Sequence, residues 1–352
     1  MKTARPDRVG IEAWTNGSGF DVVIDARSEK EFIEDHIPGA LNLPVVKNDE
    51  YAEVGTLHKT DTHQAYLLGV RYSMVNIAQA IEATVQEIPK DASVLVYCFR
   101  GGKRSKLWTD ALSTIGFRAV RLEGGWKAYR GWVRENLATL PLQFKYRVLC
   151  GPTGCGKTRC LEALKRAGAQ VLDLEKIARH RGSLIGYLPG ISQPSQKLFD
   201  SMLLAELRTM DPALPVWVES ESMKIGAVSL PESLYAAIHH GTVYRFAAPM
   251  EARVDLWRED YGHFEQDPGR LLSLLKHLRP LVGGKEFDLW KKYADAGEMP
   301  QLFERLMTHH YDLAYQRSIE RNYPTYSTAR QINIEKLSVE TMDQAALELL
   351  RA

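Results

Sequence analysis

One octapeptide constrains this 352-residue chain more than any other: Gly151-Pro152-Thr153-Gly154-Cys155-Gly156-Lys157-Thr158. It satisfies the pattern Gly-x4-Gly-Lys-[Ser/Thr] in full. Its context agrees: the apolar run Tyr146–Cys150 reads as a strand, and a helix is predicted from Arg159 to about Ala167. Glycines are needed because the backbone N–H groups must wrap a phosphate; Lys157 then reaches the distal phosphate, and Thr158 can hold Mg²⁺. Gly151, Thr153, Gly154, Cys155, Gly156, Lys157 and Thr158 are therefore the candidate diphosphate-binding residues. A nucleotide-hydrolysing site also wants a strand-end carboxylate for the metal. Glu219, closing Val216-Trp217-Val218-Glu219, is the candidate, with Asp173 as a substitute. Each reads equally well as an ordinary solvated carboxylate, so a diphosphate ligand is better supported than ATP hydrolysis.

Apolar runs alternate with helical patterns twice along the chain, which predicts βα units and parallel sheets in two domains. The first half offers strands at Asp21–Asp25, Leu41–Leu43, Ser93–Tyr97 and Ala119–Leu122, with helices such as Met74–Gln86 and Ser105–Ile115. The second offers Tyr146–Cys150, Gln170–Leu174, Val216–Glu219, Val243–Ala247 and Ile332–Ile334. A helical region of about 250–321, interrupted near Pro268, Pro280 and Pro300, separates the last two. Leu140-Pro141-Leu142 is the expected linker, giving domains at 1–139 and 143–352. The 45 basic and 44 acidic side chains leave a net charge of +1, which neither demands nor excludes a nucleic-acid partner. Cys98, Cys150, Cys155 and Cys160 form no CxxC pair and no zinc spacing. With no apolar leader and no run long enough to span a bilayer, the expectation is a cytoplasmic protein with free thiols and no membrane partner.

A second reactive site is predicted at Cys98. The run Val94-Leu95-Val96-Tyr97-Cys98-Phe99-Arg100-Gly101-Gly102-Lys103-Arg104-Ser105 reads as strand, glycine loop and helix. That places the thiol at the carboxyl end of a parallel strand and before a helix N-terminus, where α/β sheets bind ligands. Loop amides, the helix dipole and Arg100, Lys103 and Arg104 all favour an anion there, so Cys98 is expected to be substantially thiolate. Arg100, Gly101, Gly102, Lys103 and Arg104 form the candidate anion loop. The competing bland reading is a small buried hydrophobe. The Cys-x5-Arg spacing to Arg104 also fits a cysteine phosphatase, but Tyr97 stands where those enzymes usually carry His, and no general-acid Asp can be placed.

The stretch Asp25-Ala26-Arg27…Glu31-Phe32…His36-Ile37-Pro38-Gly39-Ala40…Asn42…Pro44 resembles the opening of the rhodanese family, in which His36 would be structural. Over nearly its whole length the chain resembles the bacterial tRNA 2-selenouridine synthases. The matching segments are Glu53-Val54-Gly55-Thr56, Cys98–Ser105, Leu122–Tyr129, the glycine loop at 151–158, Asp173-Leu174-Glu175, His180-Arg181-Gly182-Ser183, Glu219–Gly226 and His310-Tyr311-Asp312; Phe99 replaces a commoner Trp. The resemblance implies a rhodanese-like doubly wound parallel sheet followed by a P-loop NTPase-like α/β domain with a long helical insertion. It also implies a two-step reaction on a wobble 2-thiouridine of tRNA. Sulfur first takes a geranyl group from geranyl diphosphate; selenium from selenophosphate then displaces the S-geranyl group, with Cys98 carrying selenium as a perselenide or binding selenophosphate. No tightly bound cofactor is expected, Mg²⁺ at Thr158 being the one candidate. A selenophosphate-supplying enzyme is a candidate partner. Arg179, His180 and Arg181 are candidate tRNA or supporting residues. The cluster Lys276, His277, Arg279, Lys285, Lys291 and Lys292 reads better as a solvated helix face. The alternatives are a rhodanese sulfurtransferase fused to a small-molecule kinase or NTPase, and a non-catalytic anion sensor.

Overall fold

Short apolar runs closed by glycine or polar turns become the strands of the computed structural model, which describes residues 7–15 and 19–351. The strands are β1 (Arg8–Val9), β2 (Val22–Asp25), β3 (Leu41–Asn42), β4 (Ser93–Tyr97), β5 (Arg118–Leu122), β6 (Tyr146–Cys150), β7 (Gln170–Leu172), β8 (Val216–Glu219), β9 (Lys224–Ile225), β10 (Val228–Ser229), β11 (Thr242–Ala247) and β12 (Arg330–Asn333). The described residues divide into two compact units. One runs to Asn136 and takes in Ser195–Ala205; the other comprises Leu137–Pro194 and the chain from Glu206 onward.

The first unit holds a five-stranded sheet in the order β1-β5-β4-β2-β3, and every pairing in it is parallel. Its centre, Val94-Leu95-Val96-Tyr97, is fully buried, as expected for a strand covered on both faces. Trp108, on the helix Lys103–Ile115, is also fully buried, and its indole N–H donates to Leu43 O at 2.8 Å. The second unit holds a parallel sheet in the order β12-β11-β6-β8-β7 and a small antiparallel hairpin, β9–β10. Between β11 and β12 lies the helical region, with its own core around Trp257, Trp290, Leu302 and Phe303. Pro268, Pro280 and Pro300 each sit in the first turn of a new helix, where a missing N–H costs nothing. The two-residue strands β1, β9 and β10 are too short to show a period and were invisible in the pattern. The helix predicted to start at Met74 starts at Thr62, capped by Asp61, which accepts from Gln64 N–H at 3.0 Å. Tyr66, Leu67 and Val70 in its first turns are exposed.

The stretch Ser195–Ala205, which the sequence places in the second domain, groups with the first unit through a buried polar network. Asp35 is fully buried and accepts from Ser201 Oγ at 2.7 Å and from the Trp126 indole N–H at 2.8 Å. Arg130 lies 3.5 Å from Asp35, pairs with Asp200 at 2.9 Å and donates to Lys197 O at 2.9 Å. Burial pushes the Asp35 carboxyl up despite these donors. Periodicity cannot reveal a contact made by one carboxylate and one arginine far apart in the chain.

Arg130→Met is expected to lower stability by about 3 kcal/mol or more, because it leaves Asp35 buried without its cation. Denaturant unfolding of the variant measures this. Limited proteolysis should show faster cleavage near Ser195–Ala205 than in the wild type.

Candidate functional site

Cys98 follows β4 directly, buried, with Gly102 N–H donating to its Sγ at 3.2 Å and Ser105 Oγ at 3.3 Å. Two glycines make this loop possible. Gly101 has φ +67°, and a Cβ there would meet Leu122 O at 2.6 Å; Gly125 has φ +57° and packs its Cα against the Cys98–Gly101 backbone. Helix Gly125–Thr139 is tied to the loop by Trp126 N–H to Cys98 O (2.8 Å) and Lys127 N–H to Phe99 O (3.0 Å). Beneath it lies the buried pair Asp25–Arg27, bonded at 2.7 Å, with Arg27 also donating to Asp35 O at 2.5 Å. The Asp-x-Arg element of the sequence is thus a strut. His36 is one as well: its Nδ1 bonds Phe32 O at 2.8 Å and its ring stacks on Phe32. Of the predicted cations, Arg100 and Lys103 are exposed, whereas Arg104 pairs with Glu31 at 2.6 Å.

In the second unit, Gly151–Gly156 turns from β6 into the helix Lys157–Arg166 with Gly154 and Gly156 at φ +79° and +84°. Lys157 Nζ donates to Gly151 O at 2.8 Å and Pro152 O at 3.3 Å, folded onto the loop's own carbonyls. Thr158 Oγ1 donates to Glu219 Oε1 at 2.7 Å. The parallel register pairs Leu149 with Glu219, which is why the carboxylate arrives beside the loop. Asp173 is engaged elsewhere, accepting from Lys176 N–H at 2.9 Å as the cap of helix Leu174–Ala178. Thr158 and Glu219 are hard oxygen donors suited to Mg²⁺ together with phosphate oxygens. Among the described residues, no three His, Cys, Asp or Glu side chains are grouped to hold a metal unaided.

The loop opens into a cavity of about 590 Å³ with Glu175, Glu219 and Glu221 on one side. Burial drives all three carboxyls upward: Glu175 well above the ordinary range, with the charges of Glu219 and Glu221 adding to it; Glu219 against the pull of Lys157 and Thr158; and Glu221 to about 7, with Glu219 adding to it. Burial opposes the Lys157 charge, but Cys155 and the carboxylates outweigh it and hold its pKa above the ordinary value. The facing wall comes from the helical region. Arg253 donates to Thr153 O at 2.9 Å and makes a bidentate pair with Asp312 at 2.9 and 2.6 Å, fixing helix Asp312–Asn322 over the loop. That helix lines the cavity with Tyr315, Ile319 and the following Tyr323, and Gly151 N–H donates to Tyr315 Oη at 2.5 Å. Cys150 and Cys160 are buried and pushed up to about 12 by that burial, and Cys155 is buried and raised too, so these are inert space-fillers.

Arg181 lines this same cavity, paired with Asp260 at 3.2 Å and lying 5.1 Å over the Tyr261 ring, so its charge is already answered. His180 is buried. Arg179 is exposed, at the left-handed φ of 52°. Glu175, Glu221, Arg253, Asp312 and Tyr315 were not singled out from sequence. Glu175, Glu221 and Asp312 lie in segments quoted for the family resemblance; nothing in the sequence marks Arg253.

Residues 144–269 match the model of the tRNA 2-selenouridine synthase AAA domain, and residues 11–131 match that of the rhodanese-like domain. Among curated relatives, tRNA 2-selenouridine synthase of Nitrosomonas europaea is 34% identical over 244 residues, covering 68% of this chain and 63% of that protein. That of Bdellovibrio bacteriovorus is 33% identical, covering 68% and 64%. That of Hydrogenovibrio crunogenus is 32% identical over 327 residues, covering 85% and 89%. The matched part thus spans just under two thirds of the first two relatives and most of the third.

A ligand of several negative charges is repelled by Glu221 once that carboxyl ionises. Because the folded-state pKa of Glu221 is raised, the carboxyl is protonated below about 7 and ionises above it. Calorimetry with inorganic pyrophosphate should therefore show Glu221→Gln binding about as tightly as the wild type at low pH. Above about pH 7 it should bind more tightly, the gap opening as Glu221 ionises.

Proposed function

Because the chain belongs to the tRNA 2-selenouridine synthase family, we propose that it converts a wobble 2-thiouridine of tRNA to 2-selenouridine through an S-geranyl intermediate. The observation that carries this reading is the pairing of two different anion loops in one chain. One presents a nucleophilic sulfur, Cys98, and the other presents Lys157 and no nucleophile. A thiocarbonyl conjugated within the base is a poor electrophile, and sulfide is a poor leaving group. Alkylation makes C2 electron-poor and lets sulfur leave as a thiol.

In the first step the base sulfur bonds to C1 of geranyl diphosphate, the C1–O bond breaks, and pyrophosphate departs with the electron pair. Charge grows on the leaving oxygens, where Lys157 and the amides of Gly151–Thr158 stabilise it. Thr158 and Glu219 would hold Mg²⁺, which supplies further charge neutralisation when bound. Leu256, Ile319 and Tyr323, lining the same cavity, offer the geranyl chain an apolar wall. In the second step the selenium of selenophosphate, held at the Cys98 loop, adds to C2, geranyl thiol leaves with the C2–S electron pair, and water cleaves the Se–P bond to release phosphate. On this reading the protein works with its tRNA in the cytoplasm, supplied by a selenophosphate-forming enzyme. No described helix is long and apolar enough to cross a membrane.

One observation favours a second reading, a rhodanese sulfurtransferase fused to a kinase or NTPase: the Thr158–Glu219 contact also suits a metal-bound nucleotide. Phosphate release from ATP in the absence of tRNA would support it.

Lys157→Ala should slow geranyl transfer by about 10²-fold or more, since a charge-assisted contact to the leaving group is lost. Steady-state transfer from geranyl diphosphate to thiolated tRNA measures it; near-normal rates would place the diphosphate elsewhere. Cys98→Ser should abolish selenium insertion yet leave geranylation largely intact, because a neutral hydroxyl cannot act as the chalcogen-handling thiolate. Nucleoside mass spectrometry should then show S-geranyl-2-thiouridine accumulating. Loss of both products would mean that the Cys98 loop also serves the first step.

A further inference from the structure

The helices Asn48–Leu57 and Thr62–Ala83, inserted between β3 and β4, bring aromatic rings to the Cys98 loop. Lys103 Nζ lies 4.2 Å from the centre of the Tyr66 ring, Arg104 lies 5.7 Å over Tyr51, and Arg100 lies 5.6 Å over Phe99. Every cation of the loop is thus paired with a ring. A ring used only as packing would be covered, yet Tyr51 is 51% exposed, Tyr66 50% and Phe99 36%. Two of the rings are braced from behind. Phe99 stacks on Trp126 at 5.5 Å, whose indole N–H is tied to Asp35, and His58 meets Tyr66 edge-on at 5.8 Å. Arg104 spends its charge on Glu31, so Arg100 and Lys103 are the exposed cations of the rim.

Held, exposed rings beside exposed cations are the surface chemistry of proteins that bind unpaired nucleotides: bases stack on the rings while the cations meet phosphates. A protein partner would need an apolar core free of such charges, and a duplex would offer its bases to no ring. We propose that Tyr51, Tyr66 and Phe99 form a stacking platform for the unpaired bases of a single-stranded RNA loop, with Arg100 and Lys103 on its phosphates. The inference rests on the tRNA reading above and deepens it, for it assigns the surface that presents the base to Cys98. Stacking is indifferent to base identity, so the platform holds the loop without choosing its sequence.

The test uses the full chain and two synthetic RNAs: an anticodon stem-loop carrying 2-thiouridine, and a fully paired duplex of equal length. Tyr66→Leu and Tyr51→Leu, which keep apolar bulk but remove the ring, should each weaken stem-loop binding about tenfold. The salt dependence should not change, and duplex binding should be untouched. Tyr66→Phe should bind like the wild type. Lys103→Gln should instead lower the salt slope by about one phosphate contact. Equal affinity of wild type and both Leu variants for the stem-loop would overturn the platform. So would equal losses on stem-loop and duplex, or loss in Leu67→Asp with none in Tyr66→Leu, which would mark a hydrophobic contact instead. Failure of the wild type to bind any thiolated tRNA would overturn the proposed function itself, a result distinguishable from all of these.

Discussion

Both units depend on one arrangement: backbone amides gathered in a loop where a parallel strand hands over to a helix. The loop must bend more tightly than a chain with side chains allows. At Gly101 and Gly125 a Cβ would strike backbone, and at Gly154 and Gly156 the backbone takes the left-handed conformation that glycine tolerates. The sheets exist to deliver these bends at fixed height. Strand β4 brings the sulfur of Cys98 to one of them, and β6 brings Lys157 to the other.

The chemistry then differs because the surroundings differ. Around Cys98 the carboxylates are already engaged, Asp25 by Arg27 and Glu31 by Arg104, which leaves Arg100 and Lys103 turned to solvent. Around Lys157 three glutamates crowd a cavity with one lysine on the loop, and burial drives their protonation upward. Such a cavity is ill-suited to a bare dianion when all three are ionised. It suits one when protons or a cation offset the glutamates.

The inserted helices complete each site. Arg253 and Asp312 lock the helical region over the phosphate loop with a partly buried bidentate pair, so that its aromatic face forms the cavity wall. In the other unit, the helices between β3 and β4 place Tyr51 and Tyr66 against the cations of the Cys98 loop. In both cases the sheet supplies the reactive loop and the insertion supplies what faces it.

Much of this was legible in the amino-acid sequence. The strand-loop-helix segments at Cys98 and Gly151 declare themselves because glycine spacing, a preceding apolar run and a following helix are local properties. The larger strands of both sheets were readable for the same reason, since a strand buried on both faces is continuously apolar. Pro268, Pro280 and Pro300 marked helix breaks because proline acts on its own turn. What only the tertiary structure decided is which distant charges meet. Arg181, a tRNA or supporting candidate from sequence, is paired with Asp260, and Arg104, placed in the candidate anion loop, is paired with Glu31. Ser195–Ala205 left its neighbours in sequence for Asp35 and Arg130. A side chain's charge is written in the sequence, but whether that charge is free depends on a partner placed by the fold, and Coulomb energy depends on distance in space rather than along the chain.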